Sequence, residues 1–138
     1  YLETNHADFA KCPYQEHTAM VAVQRVDDPE QIRRNFSVES EGDRVIRLVE
    51  NPVHIPNDIL GMANFIVAPE VLKALENAYD SGRGSIEFVN FIDELIRDGH
   101  SVSLFELSGQ YINLNDVASL EAANDLAIRA RLHNDNGD

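Results

Sequence analysis

Positive charge is what this chain has least of. Lysine occurs only at Lys11 and Lys73, and Lys plus Arg total 11 against 24 Asp plus Glu, for a formal charge of −13. Such a chain has no basic patch with which to release counterions from a phosphate backbone, which argues against nucleic acid and anionic membranes as partners. Long apolar runs are missing too. The longest, from Ile59 to Ala68, is interrupted by Gly61 and Asn64 and falls short of the ~18–20 residues that span a bilayer. The N-terminal stretch is polar and has no apolar core of a signal peptide. Cys12 stands alone, so no internal disulfide is possible and a cytoplasmic location is the default expectation. It has no evident His partner, and no Gly-x-Ser-x-Gly elbow is present for a serine nucleophile. The five histidines, at 6, 17, 54, 100 and 133, show no i, i+4 spacing that would chelate a metal. A first residue of Tyr1 rather than Met points to a fragment or a trimmed chain.

Acid excess with scarce lysine fits a surface kept hydrated by carboxylates at high salt. It fits an ordinary acidic cytoplasmic protein equally well. A stability titration against KCl separates the two, because the halophilic reading requires a gain in molar salt.

What is present is a core. Hydrophobic residues make up 43% of 138 positions, enough for one domain and too many for a disordered tail. Residues 1–19 are weakly patterned, 20–132 carry the periodic elements, and 133–138 form a polar tail. Met20 to Val26 reads as a mostly buried strand, broken at Asp27-Asp28-Pro29. Phe36-Ser37-Val38 and Val45 to Val49 flank Glu41-Gly42-Asp43, a hairpin signal in which Gly42 can take positive φ. Met62 to Val67 is a further strand. Pro69 then opens a helix with Val71, Leu72, Leu75, Ala78 and Tyr79 on one face. Phe88, Phe91, Ile92, Leu95 and Ile96 form the stripe of another helix, closed by Gly99. Val102 to Leu107 is a strand, and Tyr111-Ile112 a short one. Asp116 caps a last helix whose apolar face is Val117, Leu120, Ala123, Ala127 and Ala130. Alternating strands and helices argue for an α/β layer structure with a mixed sheet and flanking helices.

From Met20 to Leu132 this order of pieces resembles the C-terminal half of the sugar-1-phosphate nucleotidyltransferases, the nucleotide-sugar pyrophosphorylases. MVAVQRVDDPE resembles the family's strand and acidic loop, and VESEGDRVIRLVENP its hairpin ending in a Glu-Lys-Pro motif. MANFIVAPEVLKALE resembles its strand-Pro-Glu-helix segment. The stretch from Arg83 to Asn124 resembles its last helix-strand-strand-helix unit. The resemblance implies a partial nucleotide-diphospho-sugar transferase fold. It also implies an enzyme joining a sugar 1-phosphate to a nucleoside triphosphate with Mg²⁺, releasing pyrophosphate. The family's Gly-rich triphosphate loop has no counterpart here, so this chain would supply the sugar-phosphate side. An NTP would bind only with an N-terminal half.

The resemblance also nominates residues. Glu50 matches the glutamate that accepts hydrogen bonds from sugar hydroxyls. Asn51 stands where the family has the lysine that neutralises the sugar phosphate, and an amide brings no charge; alternatively, Asn51-Pro52 is a plain turn. Ala63 and Asn64 fall near a glycine whose backbone approaches the sugar, and Asn64 otherwise lies on an exposed strand face. Leu114-Asn115-Asp116-Val117 resembles the Val-Asn-Asp-Arg of uridylyltransferases, which makes Asn115 a Mg²⁺ ligand through a hard amide oxygen. On another alignment Asn113 replaces the metal aspartate. Asp8 is a weaker match to the second metal aspartate. Glu87 matches an acidic residue ahead of the penultimate helix, where its charge also suits a helix N-terminus. The resemblance requires Glu50 and Asn115 to meet at one pocket. Loss of the lysine and aspartate leaves a second reading open, a catalytically degenerate binding or regulatory domain. A sheet edge left uncovered would favour a homo-oligomer.

Overall fold

The computed structural model describes residues 4–12, 18–82, 84–114 and 116–135. Its elements run α1 (His6–Phe9), β1 (Ala19–Arg25), α2 (Pro29–Arg33), β2 (Phe36–Glu41), β3 (Arg44–Glu50), β4 (Ile59–Val67), α3 (Pro69–Asp80), α4 (Phe88–Arg97), β5 (Val102–Glu106) and α5 (Val117–Asp135). Contacts divide the chain into two compact units: His6–Leu107, and Tyr1–Asn5 together with Ser108–Asp138.

The unit His6–Leu107 is a five-stranded mixed sheet in the order β1-β4-β2-β3-β5, closing back onto β1. β1 and β5 are parallel and the other pairs antiparallel. β1 is buried from Ala19 to Val23, as its unbroken apolar run requires of a central strand covered on both faces. The β2–β3 hairpin turns at Gly42, with φ 60°, as the Glu41-Gly42-Asp43 signal anticipates.

Two junctions in this ring are thin. β2 meets β4 only at Ser37↔Leu60, and β3 meets β5 only at Arg44↔Ser103. Beyond Arg44, therefore, one edge of β3 has no described strand partner, and its polar backbone groups need other company. α4 supplies it. The Asp93 carboxylate, on a residue only 9% exposed, accepts the Leu48 N–H at 2.8 Å and meets Arg97 Nε at 3.1 Å. On the same helix Phe91 and Ile92 pack into a core with Val38, Val45 and Leu48. α4 stops where Gly99, at φ 92°, donates to the Ile96 carbonyl and His100 to that of Leu95, a Schellman ending.

β4 outruns its expected start at Met62 and carries a bulge. Val21 pairs with Phe65, but Val23 pairs with Gly61, so Met62 to Asn64 stand opposite Ala22. Ala63, at the centre of the bulge, has φ 51°. Gly61 has to be glycine for space: a methyl group there would overlap the ring of Phe36.

Several expectations change. Asp28 does more than end β1; its carboxylate caps the short α2 by accepting from the Glu30 N–H at 3.0 Å. α1 has no counterpart in the sequence pattern, because one turn is too short for a periodic signal; its Phe9 is buried and lies 5.4 Å from the Phe105 ring. Tyr111-Ile112 is not a strand, and only Gln110 makes an isolated bridge.

In the second unit, Ser108 N–H donates to Asn5 Oδ1 at 2.9 Å. Asp116 caps α5 as expected, accepting from Ser119 N–H at 2.8 Å. α5 runs on to Asp135, through part of the expected polar tail. Its half-buried positions are Ser119, Ala123, Leu126 and Ala130, while Val117, Leu120 and Ala127 of the expected apolar face are exposed. Of the expected face, the helix covers Ala123 and Ala130 but not the larger Val117 and Leu120.

Candidate functional site

The end of β3 is set by its partner. Glu50 pairs with Phe36, so the two side chains share a face, and Phe36 is buried. The Phe36 ring stacks on Phe65 with centroids 6.0 Å apart, and Phe65 meets Phe88 edge-on at 5.1 Å. This aromatic relay ties the first residue of α4 to β2 and β4. It also fixes Glu87, the residue before the helix, whose side chain makes no capping hydrogen bond. Glu87 is instead a charged neighbour of Glu50.

Around this pair lies a concavity of about 430 Å³ lined by Arg47 to Asn51, Glu87, Asn90 and Asp93. Burial holds the Glu50 carboxyl above the ordinary glutamate range, and the neighbouring charge of Glu87 and a hydrogen bond to it push the same way. Arg47 is the cation in the lining. Asp93 is already committed to Leu48 and Arg97.

Asn51 lines this concavity beside Glu50. It is exposed, with φ 44° and its N–H bonded to the Asn35 carbonyl at 2.7 Å. Asparagine tolerates the left-handed region better than most residues, so the turn is reason enough for the residue type. Ala63 and Asn64 are outside the cavity lining. Registers nonetheless put Glu50, Phe36 and Gly61 level across β3, β2 and β4, so the bulge projects past the same end of β2. Asn64 is half-buried rather than on an open strand face, with Oδ1 3.5 Å from His6 Nε2.

Asn113 is exposed, in a segment that is neither helix nor strand. Asn115 lies outside the described residues, as does His17, so its meeting with Glu50 is not on view. Asp8 is exposed on α1. Among the described residues no three His, Cys, Asp or Glu side chains gather as a metal site, and no helix is long and apolar enough to cross a membrane. Sequence reasoning missed Arg47, Asn90 and Asp93. For Asp93 a signal existed: an acid inside the apolar stripe of α4, four residues before Arg97.

The described site can accept hydrogen bonds from hydroxyl or ammonium groups through Glu50 and Glu87. It can donate through the amides of Asn51 and Asn90. One arginine is little with which to hold a phosphate dianion.

No family model matches the chain. In sequence, 110 residues, 80% of this chain, are 26% identical to the low-salt glycan biosynthesis nucleotidyltransferase Agl11 of Haloferax volcanii, covering 30% of that protein. In structure, 88% of the chain superposes on 47% of a glucose-1-phosphate thymidylyltransferase from Bacillus anthracis in complex with a sucrose, with a TM-score of 0.69 and 22% identity. An apo UDP-glucose pyrophosphorylase gives 0.65 at 14% identity, over 82% of this chain and 43% of that one. A UDP-glucose pyrophosphorylase complexed with UDP-glucose gives 0.65 at 17% identity, over 89% and 47%. The chain thus spans about a third of the curated relative and under half of each solved chain. Its sequence likeness to one nucleotidyltransferase, together with the fold it shares with others, makes this chain a partial relative of the sugar-1-phosphate nucleotidyltransferase family.

Proposed function

We propose that this chain supplies the sugar-phosphate side of a nucleotidyltransferase that joins a sugar 1-phosphate to a nucleoside triphosphate. The observation that carries this reading is the placement of Glu50. It lies at the end of β3, in a concavity of about 430 Å³ with Asn51, Asn90 and Glu87, where the family resemblance expects the glutamate that receives sugar hydroxyls. In this reading Glu50 accepts from the ring hydroxyls and the Asn51 amide donates to them or to the phosphate. Such chemistry is positioning and charge neutralisation rather than covalent catalysis.

Mg²⁺ belongs to the same reading. Asn113 and Asn115 offer amide oxygens only, so the ion would come with a ligand's phosphates rather than sit on a preformed protein site. The NTP would require the further half that the resemblance describes.

One observation favours a second reading, a catalytically degenerate binding or regulatory domain. The left-handed backbone at Asn51 suits asparagine and disfavours the family lysine, so the phosphate's usual counter-charge is absent from this position.

Calorimetry of the intact chain with a hexose 1-phosphate and Mg²⁺ tests the proposal. Saturable binding, lost in Glu50→Ala with the fold retained, is the expected result. No binding at millimolar ligand by a folded protein would refute it. Binding without turnover when the chain is supplied within a full-length enzyme would select the second reading.

A further inference from the structure

The concavity beside Glu50 has two sides of opposite charge. Side chains alternate between the faces of a strand, so Arg47 and Glu50 stand on opposite faces of β3, and both line the space. Arg47 is exposed, and Glu39 is its partner in the hairpin register. Yet among the described residues no ion pair joins Arg47 to Glu39 or to any other acid, whereas Arg25, Arg33 and Arg97 each have one. Its guanidinium, a planar fork of N–H donors matched to oxyanions, is left without a carboxylate.

The strand edge between the two faces adds a second donor. The Asn51 N–H turns to the Asn35 carbonyl, at the entry to β2, while the Leu48 N–H turns the other way, to Asp93. Successive N–H groups along a strand point to alternate sides, so that of Glu50 points with that of Leu48, away from β2 and towards the concavity. Among the described residues nothing accepts it. α4 closes the edge of β3 at Leu48 and leaves it open two residues later, where a backbone donor calls for a partner.

A water molecule would satisfy that N–H but not the charge of Arg47. An anion satisfies both. The carboxyl groups of Glu50 and Glu87 repel an anion from their own side of the space and accept from hydroxyls instead, which gives the site a direction. We infer that Arg47 binds the phosphate of the sugar 1-phosphate, with the Glu50 N–H as a backbone partner, so that the sugar hydroxyls are turned towards the Glu50 carboxyl. This rests on the sugar-phosphate reading above and adds to it the residue that supplies the counter-charge. One arginine is little for a dianion by itself; the backbone N–H and the Asn51 amide in the same lining enlarge the donor set.

The test is a titration of the intact, ¹⁵N-labelled chain with glucose 1-phosphate at fixed Mg²⁺, followed by NMR. The Glu50 amide proton should move downfield in a saturable way as it gains an anionic acceptor. Arg47→Gln should weaken binding at least about tenfold, as loss of a charge-assisted hydrogen bond does. Arg44→Gln removes the same charge from the same strand outside the lining and should stay within about twofold of the native chain. Native affinity in Arg47→Gln, or an equal loss in Arg44→Gln, would overturn the assignment, while saturable binding by the native chain would keep the sugar-phosphate reading. A Glu50 amide unmoved at saturation would overturn it as well, and decides the matter should Arg47→Gln fail to fold. Absence of binding by the folded native chain would overturn both.

Discussion

Asp93 and Glu50 are carboxylates lining one cavity, and the fold treats them in opposite ways. Asp93 is almost fully buried, yet both oxygens are occupied, one by Leu48 N–H and the other by Arg97. Glu50 is less buried and worse off, facing another carboxyl and raised above its ordinary range. The contrast extends to the backbone around them. The middle of the β3–α4 layer is regular and satisfied. The rim at the end of β3 holds Asn51 in a left-handed turn, and the neighbouring β4 bulge holds Ala63 in another. Body and rim differ as scaffold and site usually do: stability is gathered in one, while unfavourable geometry is tolerated in the other.

Breaking the body should have the largest effect. Asp93→Ala strands the Leu48 N–H at the uncovered edge of β3 and should cost about 2–3 kcal/mol in denaturant unfolding. Most of that is the lost backbone partner, since the Arg97 side chain is 67% exposed and its ion pair adds little. A loss below about 0.5 kcal/mol would mean that α4 does not serve as the missing neighbour of β3.

Relieving the rim should do the reverse. Ala63→Gly removes a side chain from a left-handed position and should stabilise by about 1 kcal/mol. A loss on this substitution would show that the bulge relaxes to ordinary φ in solution. Ser37→Ala probes the one lapse in the body: among the described residues, its buried Oγ lacks a hydrogen-bond partner. Removing that hydroxyl should gain up to about 1 kcal/mol, and a clear loss would reveal a partner, protein or water, for it.

The smallest effect concerns pH. A glutamate whose folded pKa lies above its unfolded one contributes stability that is complete below the unfolded value, here 4.5. It loses that contribution as pH rises through the folded value. Unfolding free energy of the native chain should therefore decline on going from acid towards neutral pH by a component that Glu50→Gln removes. An unchanged slope in the variant would separate Glu50 from Glu87 and dissolve the contrast with Asp93.

Local signals explain how much of this is legible in the sequence. Gly42 and Gly99 announce a hairpin turn and a helix end because both need a backbone that side chains disfavour. Asp116 announces a helix start through its carboxylate, and the apolar run of β1 announces a strand buried on both faces. Glu50 and Asn51 are reachable because a resemblance spanning a hairpin carries its end along with it. The two-residue bulge of β4 is not, since a register is a relation between two strands and neither states it alone.

What the amino acids settled by themselves was therefore most of the menu: the five strands of the sheet, the starts of the three longer helices and a strongly acidic composition, but not α1, α2 or the absence of a strand at Tyr111-Ile112. These arise from propensity, periodicity and composition, all of which act within a few residues. The folded structure alone decided that α4 stands in for a strand beside β3, that Phe36, Phe65 and Phe88 set the start of α4 beside Glu50, and that Asp93 has Leu48 N–H and Arg97 as partners while Glu50 has another carboxyl as its neighbour. Those facts depend on contacts between residues tens of positions apart, and a carboxylate's ionisation and its use are set by what the fold brings to it.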